Sequence, residues 1–191
     1  YYVRVSDQCL PVTGDDVMRL AADRAALPWE TLTSMQVPRT RVDAAKLAAF
    51  VAAIRASDRV KVSVKEKAPD EILAHYMLAD GDVLTNVGVL CVGRPSDRAN
   101  LGVAPVVQAI KYDERGQRIA KWVWDDYALG PQELATAILE EVSDFREQYE
   151  IPTGMFRTPI PAFDEVVVRE LVVNALVHRP YTQRGDIFLN L

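Results

Sequence analysis

At 191 residues with 49% apolar and 26% charged side chains, the chain has the composition of an ordinary soluble globular protein, with room for one large or two small domains. Its net charge of −5 excludes a chain-wide cationic surface for nucleic acid and leaves only a local patch around Arg55, Arg59, Lys61, Lys65 and Lys67. Cys9 and Cys91 form no metal-ligand spacing or disulfide framework, and there is no apolar run of the roughly eighteen residues that a membrane span needs. We therefore expect reduced thiols, a cytoplasmic setting and no membrane partner.

Tyr1–Val5 alternates and is β-rich, so it reads as a strand, one that suggests a segment cut from something upstream. Thr13 or Asp15 can cap a helix over about 16–26, which Pro28 ends. Residues 29–40 read as extended or irregular, with a short strand over Thr33–Val37. Asp43 opens a helix over 43–56 with Ala44, Leu47, Ala48, Val51 and Ile54 as its apolar stripe. Residues 57–68 are a loop, an exposed strand, or both. Pro69-Asp70-Glu71 starts another helix, carrying Ile72, Leu73, Tyr76 and Met77 and stopping near Asp80-Gly81.

The run Val83–Gly93 fits a buried strand by its β-branched content and a helix by Thr85 as a cap, and periodicity leaves both open. Residues 94–103 read as a polar loop. Val106–Tyr112 and Ile119–Trp124 form the one predicted hairpin, with Trp122 and Trp124 as a packing surface. Gly130-Pro131 precedes a helix over 131–149 with Leu134, Ala135, Ile138, Leu139, Val142 and Phe145 inward, and Pro152–Pro161 is extended. Asp164 caps a helix over 165–178, and Gly185 leads into a last strand over 186–191. The expected architecture is α+β. A mainly helical linker domain spans 1–100, with residues 1–5 ending an upstream domain. A two-layer α/β sandwich over 101–191 combines the hairpin with a C-terminal helix–strand unit.

The chemistry concentrates in the last helix. Glu170 and Asn174 stand one turn apart, and His178 follows four residues on, so the three share one stripe. Val166, Val167, Leu171, Val173, Leu176 and Val177 leave little polar face, which predicts a largely buried helix whose polar stripe is a hydrogen-bond network or a site.

The segment Arg169-Glu170-Leu171-Val172-Val173-Asn174-Ala175-Leu176-Val177-His178-Arg179-Pro180-Tyr181 resembles the "REALVNALVHRDY" segment of the Schlafen/AlbA-type transcriptional regulators, a group also labelled RecG-helicase-related or divergent AAA. Leu84–Gly93 resembles their "LTNAGLLLFG" segment, and Tyr1–Val5 the strand closing their DNA-binding-type domain. Pro180 departs from the family's Asp. The resemblance implies a GHKL-like ATPase fold opening at this helix. In it Glu170 would be the water-activating base and Asn174 a Mg²⁺ ligand, with His178 and Arg179 matching the family pattern at the nucleotide side. It implies ATP and Mg²⁺ in an intact protein and DNA bound by an upstream domain. The adenine loop and phosphate lid that such a site requires do not follow Tyr181, so the piece is expected to lack ATP hydrolysis and hold no cofactor alone. Two other readings compete. One is a self-contained interaction or homodimerisation module without nucleotide. The other is a small hydrolase with Glu170 as base and His178 as acid, for which no nucleophile is in view.

Overall fold

The computed structural model describes residues 2–5, 8–11, 14, 17 and 28–191; the helix predicted over 16–26 lies outside them apart from the helical Val17. The architecture is α+β. Strands β1 (Tyr2–Val5) and β2 (Gln8–Pro11) pair antiparallel, Tyr2 opposite Pro11.

Two apolar clusters organise the rest. The first gathers Val37, Leu73, Leu78, Leu84, Val89 and Val92. It is built by helices α1 (Ala44–Ala56), α3 (Pro69–His75) and α4 (Asn86–Val92), with the small ladder of β3 (Ala79–Asp80) and β4 (Val83–Leu84). Helix α1 is capped as expected, the Asp43 carboxylate accepting from the amides of Ala45 and Lys46. Its inward face, however, runs through Leu47, Phe50, Val51 and Ile54, while Ala44 and Ala48 are exposed. Larger side chains at the neighbouring positions take the core.

Helix α3 ends at His75, well short of Gly81. Met77 turns left-handed (φ 54°), the Leu78 amide donates to Leu73 and the Met77 amide to Ala74. This pair of hydrogen bonds is the Schellman closure, with Leu73 and Leu78 meeting in the core. Thr85 decides the ambiguous run that follows: its Oγ1 accepts from the Gly88 amide and donates to the Met77 carbonyl, so strand gives way to helix at that residue.

Four further expectations are corrected. Thr33–Val37 is a turn rather than a strand, because Gln36 takes φ 47° and its amide returns to Thr33. Residues 62–65 form a short helix, α2 (Val62–Lys65), with Val64 buried. The predicted loop 94–103 contains α5 (Pro95–Leu101), opened by Pro95 and closed by Gly102 at φ 73°. The helix expected to reach 149 is α6 (Pro131–Glu141), after which Ser143–Arg146 makes a 3₁₀ turn.

The second cluster fills the α/β half. Strands β5 (Val107–Tyr112) and β6 (Arg118–Trp124) form the predicted hairpin. β9 (Ile187–Asn190) joins β5 in parallel, giving the order β6-β5-β9. α6 and α7 (Glu165–His178) cover one face, and Val107, Ala109, Trp124, Leu134, Ile138, Val168, Val172 and Leu176 interlock between the layers. The Trp124 indole also donates to the Glu141 carboxylate at 3.2 Å.

Between α6 and α7 in the chain, the segment expected to be extended is part of a second hairpin, β7 (Gln148–Thr153) with β8 (Phe156–Pro161). Its prolines concealed it. Counting from the two-residue turn at Gly154-Met155, Pro152, Pro159 and Pro161 fall at non-hydrogen-bonded positions, where the missing N–H would face outward.

The two halves are joined by Arg98. It is 1% exposed, and its guanidinium donates to the carbonyls of Gly93 (2.5 Å), Tyr127 (2.7 Å) and Ala128 (2.8 Å). Lys46 on α1 pairs with Glu133 on α6 across the same junction.

Helix α4 packs so closely that a Cβ on Gly88 would lie 1.8 Å from the Leu78 carbonyl oxygen. Gly88→Ala is expected to cost about 3 kcal/mol in urea unfolding. Gly116→Ala, with φ 74° but open space around it, should cost about 1 kcal/mol.

Candidate functional site

Helix α7 sets the candidate site. The Asp164 carboxylate caps it, accepting from the Val166 and Val167 amides at 2.9 and 3.1 Å. Its core face is a single row four residues apart, Val168, Val172 and Leu176. The expectation of a largely buried helix is therefore corrected. Val166 (75%), Leu171 (63%) and Val177 (64%) are exposed. One sheet can cover only one stripe of a helix, and these side chains lie on the others.

Glu170, Asn174 and His178 stand on that outer face, all exposed. The structure brings the first two together: the Asn174 amide donates from Nδ2 to Glu170 Oε1 at 3.2 Å. This leaves Asn174 Oδ1 and Glu170 Oε2 free of each other, one an amide acceptor and the other a carboxylate oxygen. His178 is not brought in. Eight residues of helix separate it from Glu170, roughly 12 Å along the axis, too far for both to act on one atom. The acid–base pairing of Glu170 with His178 has no geometric support.

Arg179 is placed as a clamp. Its guanidinium donates to the carbonyls of Val103 (2.6 Å), Gly185 (2.8 Å) and Gln183 (3.3 Å), and lies 5.1 Å from the Tyr181 ring. Burial lowers its pKa from the ordinary arginine value. Its donors are spent on Val103 ahead of β5 and on the loop that leads into β9. Tyr181 continues the clamp: its hydroxyl donates to Leu176 at 2.7 Å, and its ring stacks on Trp29 at 5.4 Å. Burial pushes the Tyr181 phenol up to about 12, against a smaller opposing effect of Arg179.

Sequence reasoning missed two features. The first is an apolar groove of about 290 Å³ between α6 and α7, walled by Pro131, Ala135, Leu139, Val173 and Val177, with Arg169 at its rim. Glu170 and Asn174 do not line it. The signal was present in the excess of Val and Leu around α7, more than a single buried stripe can use. The second is the β7–β8 arm, exposed along its whole length. Its register puts Tyr149, Ile151, Phe156 and Ile160 on one side, and Met155 at the tip is 98% exposed. Among the described residues no cluster of three or more His, Cys, Asp or Glu could hold a metal by itself. None of their helices is long and apolar enough to cross a membrane.

Neither a protein-family model nor a curated protein matches the sequence. The fold is similar to the crystal structure of the DIP2311 protein from Corynebacterium diphtheriae, with a TM-score of 0.62 over 99% of this chain at 17% identity. The chain spans 36% of the length of that protein. At this identity the likeness establishes the α+β fold alone.

Tyr181 generates a pH prediction. Its folded pKa lies above the ordinary tyrosine value of 10, so the folded state holds the proton more tightly. The associated stability is fully present below pH 10 and is lost as pH rises toward 12, by about 2 kcal/mol. Urea unfolding at pH 8, 10 and 11.5 should show this decline, and Tyr181→Phe should flatten it.

Proposed function

We propose that the chain is the middle region of a Schlafen/AlbA-type transcriptional regulator, and that the outer face of α7 is one wall of a GHKL-like Mg²⁺–nucleotide site. The observation that carries this reading is the hydrogen-bonded Glu170–Asn174 pair, held one turn apart on the solvent side of a helix whose other side is anchored to a sheet. A site must be accessible to its ligand, and this pair is exposed. The donor set fits Mg²⁺ only in the manner usual for that ion: one amide oxygen from Asn174, with waters and phosphate oxygens completing the shell. Bound Mg²⁺ would neutralise phosphate charge. Asn174 would orient it through Oδ1, and Glu170 would accept a proton from a water held near Oε2. Arg179 would act by fixing the end of α7, and His178 would stand at the margin of the site. A DNA-binding domain upstream would supply the specific contact with DNA, in a cytoplasmic protein.

A second reading, an interaction or homodimerisation module without nucleotide, is favoured by the β7–β8 arm. A two-stranded hairpin gains little stability alone, yet this one presents four apolar side chains on one face to water. The prolines blunt both of its edges, so a partner would meet the apolar face and leave the ladder alone.

Calorimetric titration of ATP·Mg²⁺ separates the two. In a chain continued past Leu191, binding is expected and should fall at least tenfold in Asn174→Ala, about 1.4 kcal/mol or more. Residues 1–191 should bind far more weakly. Equal affinity in the variant, or no binding by the longer chain, would leave the interaction reading. That reading expects a concentration-dependent mass in light scattering, abolished by Phe156→Ser with Ile151→Ser.

A further inference from the structure

The corner between α1 and α2 carries a surface that the nucleotide reading does not use. Residues 55–67 hold five cations, Arg55, Arg59, Lys61, Lys65 and Lys67, against the two acids Asp58 and Glu66. In a chain of net charge −5 this is a local reversal of sign. The fold concentrates it. The Arg55 guanidinium donates to the carbonyls of Lys65 (3.2 Å) and Lys67 (3.5 Å), tying the end of α1 to the end of α2. Three cations are thereby drawn to one place. Lys61 and Lys65 flank α2 one turn apart, on one face and roughly 6 Å from each other.

Three cations elsewhere in the helical half are matched by carboxylates, Arg39 with Asp70, Arg41 with Asp97 and Lys46 with Glu133, and the buried Arg98 is matched by carbonyls. None of the five at this corner makes an ion pair with a described residue, although Asp58 and Glu66 lie among them in the sequence. Like charges gathered without counter-charge repel and cost stability. An external polyanion would relieve that repulsion.

We propose that this corner is a phosphate-backbone contact for duplex DNA, made by residues 1–191 themselves and independent of the Glu170–Asn174 reading. The chemistry favours a duplex over other polyanions. Single strands are held by aromatic stacking, and residues 55–67 contain no aromatic side chain. Anionic bilayers are held by a broad apolar face beneath the charges, and here Val62 is the only large apolar residue exposed in the segment. Lysines spaced one helical turn apart match the regular charge of a duplex backbone and carry no sequence information.

The test is fluorescence anisotropy of a labelled mixed-sequence duplex of about 20 base pairs with residues 1–191, between about 50 and 200 mM KCl. Binding should weaken linearly on a log–log salt plot. Lys61→Gln, Lys65→Gln and Lys67→Gln combined should reduce the slope by about 2.7, roughly 0.9 for each lost phosphate contact, and weaken binding about tenfold or more at the lowest salt. The substituted side chains reach solvent, and circular dichroism checks that the fold persists. Arg115→Gln with Lys121→Gln, on the β5–β6 hairpin, should leave both quantities unchanged. Three results would each overturn the proposal: no binding at the lowest salt, an equal loss in both variants, or binding to phosphatidylserine vesicles that the duplex fails to compete.

Discussion

The buried Arg98 guanidinium is the contact on which the arrangement of the two halves depends. A cation taken out of water needs compensation, and this one has no carboxylate on it. Three carbonyls from two segments, Gly93 after α4 and Tyr127–Ala128 before α6, supply it. Arginine suits the place because its planar fork reaches three acceptors and it stays charged. Burial lowers its pKa, and the more distant Glu133 and Asp43 oppose that shift. The consequence is positional. With residues 127 and 128 fixed, Gly130 lies against α4, where a Cβ would come 3.2 Å from the Leu90 carbonyl oxygen. α6 therefore starts at a set point, and α7 packs beside it over the sheet.

The elements legible in the sequence are those with a local chemical stop or start. Asp43, Thr85 and Asp164 each have an oxygen that takes up the free amides of a first turn, and each helix begins where its cap stands. The β5–β6 hairpin is legible from the Asp113–Gln117 turn between two β-rich runs. The missed elements have the same kind of signal, outweighed by composition. Pro95 and Gly102 bracket α5 as a first-turn proline and a left-handed closing residue, but its polar side chains suggested a loop. Those polar residues are structural: Asp97 is buried and takes Arg41 at 2.8 Å, and Arg98 is the junction itself. Asn86 is similar, fully buried while its amide group bonds Trp29 and Ser34, 57 and 52 residues earlier in the chain. Long-range polar contacts of this kind leave no periodic trace.

The candidate site was legible as a pair and misjudged as an environment. The i, i+4 spacing of Glu170 and Asn174 guaranteed that they could meet, and they do. Their burial was inferred from the apolar composition of α7, which counts side chains without knowing how many faces the fold will cover. Only the row Val168, Val172 and Leu176 found the sheet. The rest of the apolar surface remains in water, along with the β7–β8 arm.

The pattern on that outer face bears on what it is for. A helix seam for another copy would place apolar side chains along its centre, with polar residues at the margins. On α7 the order is inverted. Glu170 and Asn174 run along the middle, with Val166, Val173 and Val177 to one side and Val167 and Leu171 to the other. Polar groups set within an apolar surround are the usual lining of a small-molecule site, where a few bonds orient the ligand and the apolar walls exclude water. The face is also held rigidly, by the Asp164 cap at one end and by Arg179 with the Tyr181–Trp29 stack at the other. Rigid presentation suits a group that must be positioned to a fraction of an ångström more than it suits an adaptable contact. The arm, whose apolar side carries no polar group but the hydroxyls of Tyr149, Thr153 and Thr158, is the better surface for a protein partner. The nucleotide and interaction readings thus fall on different elements of one domain.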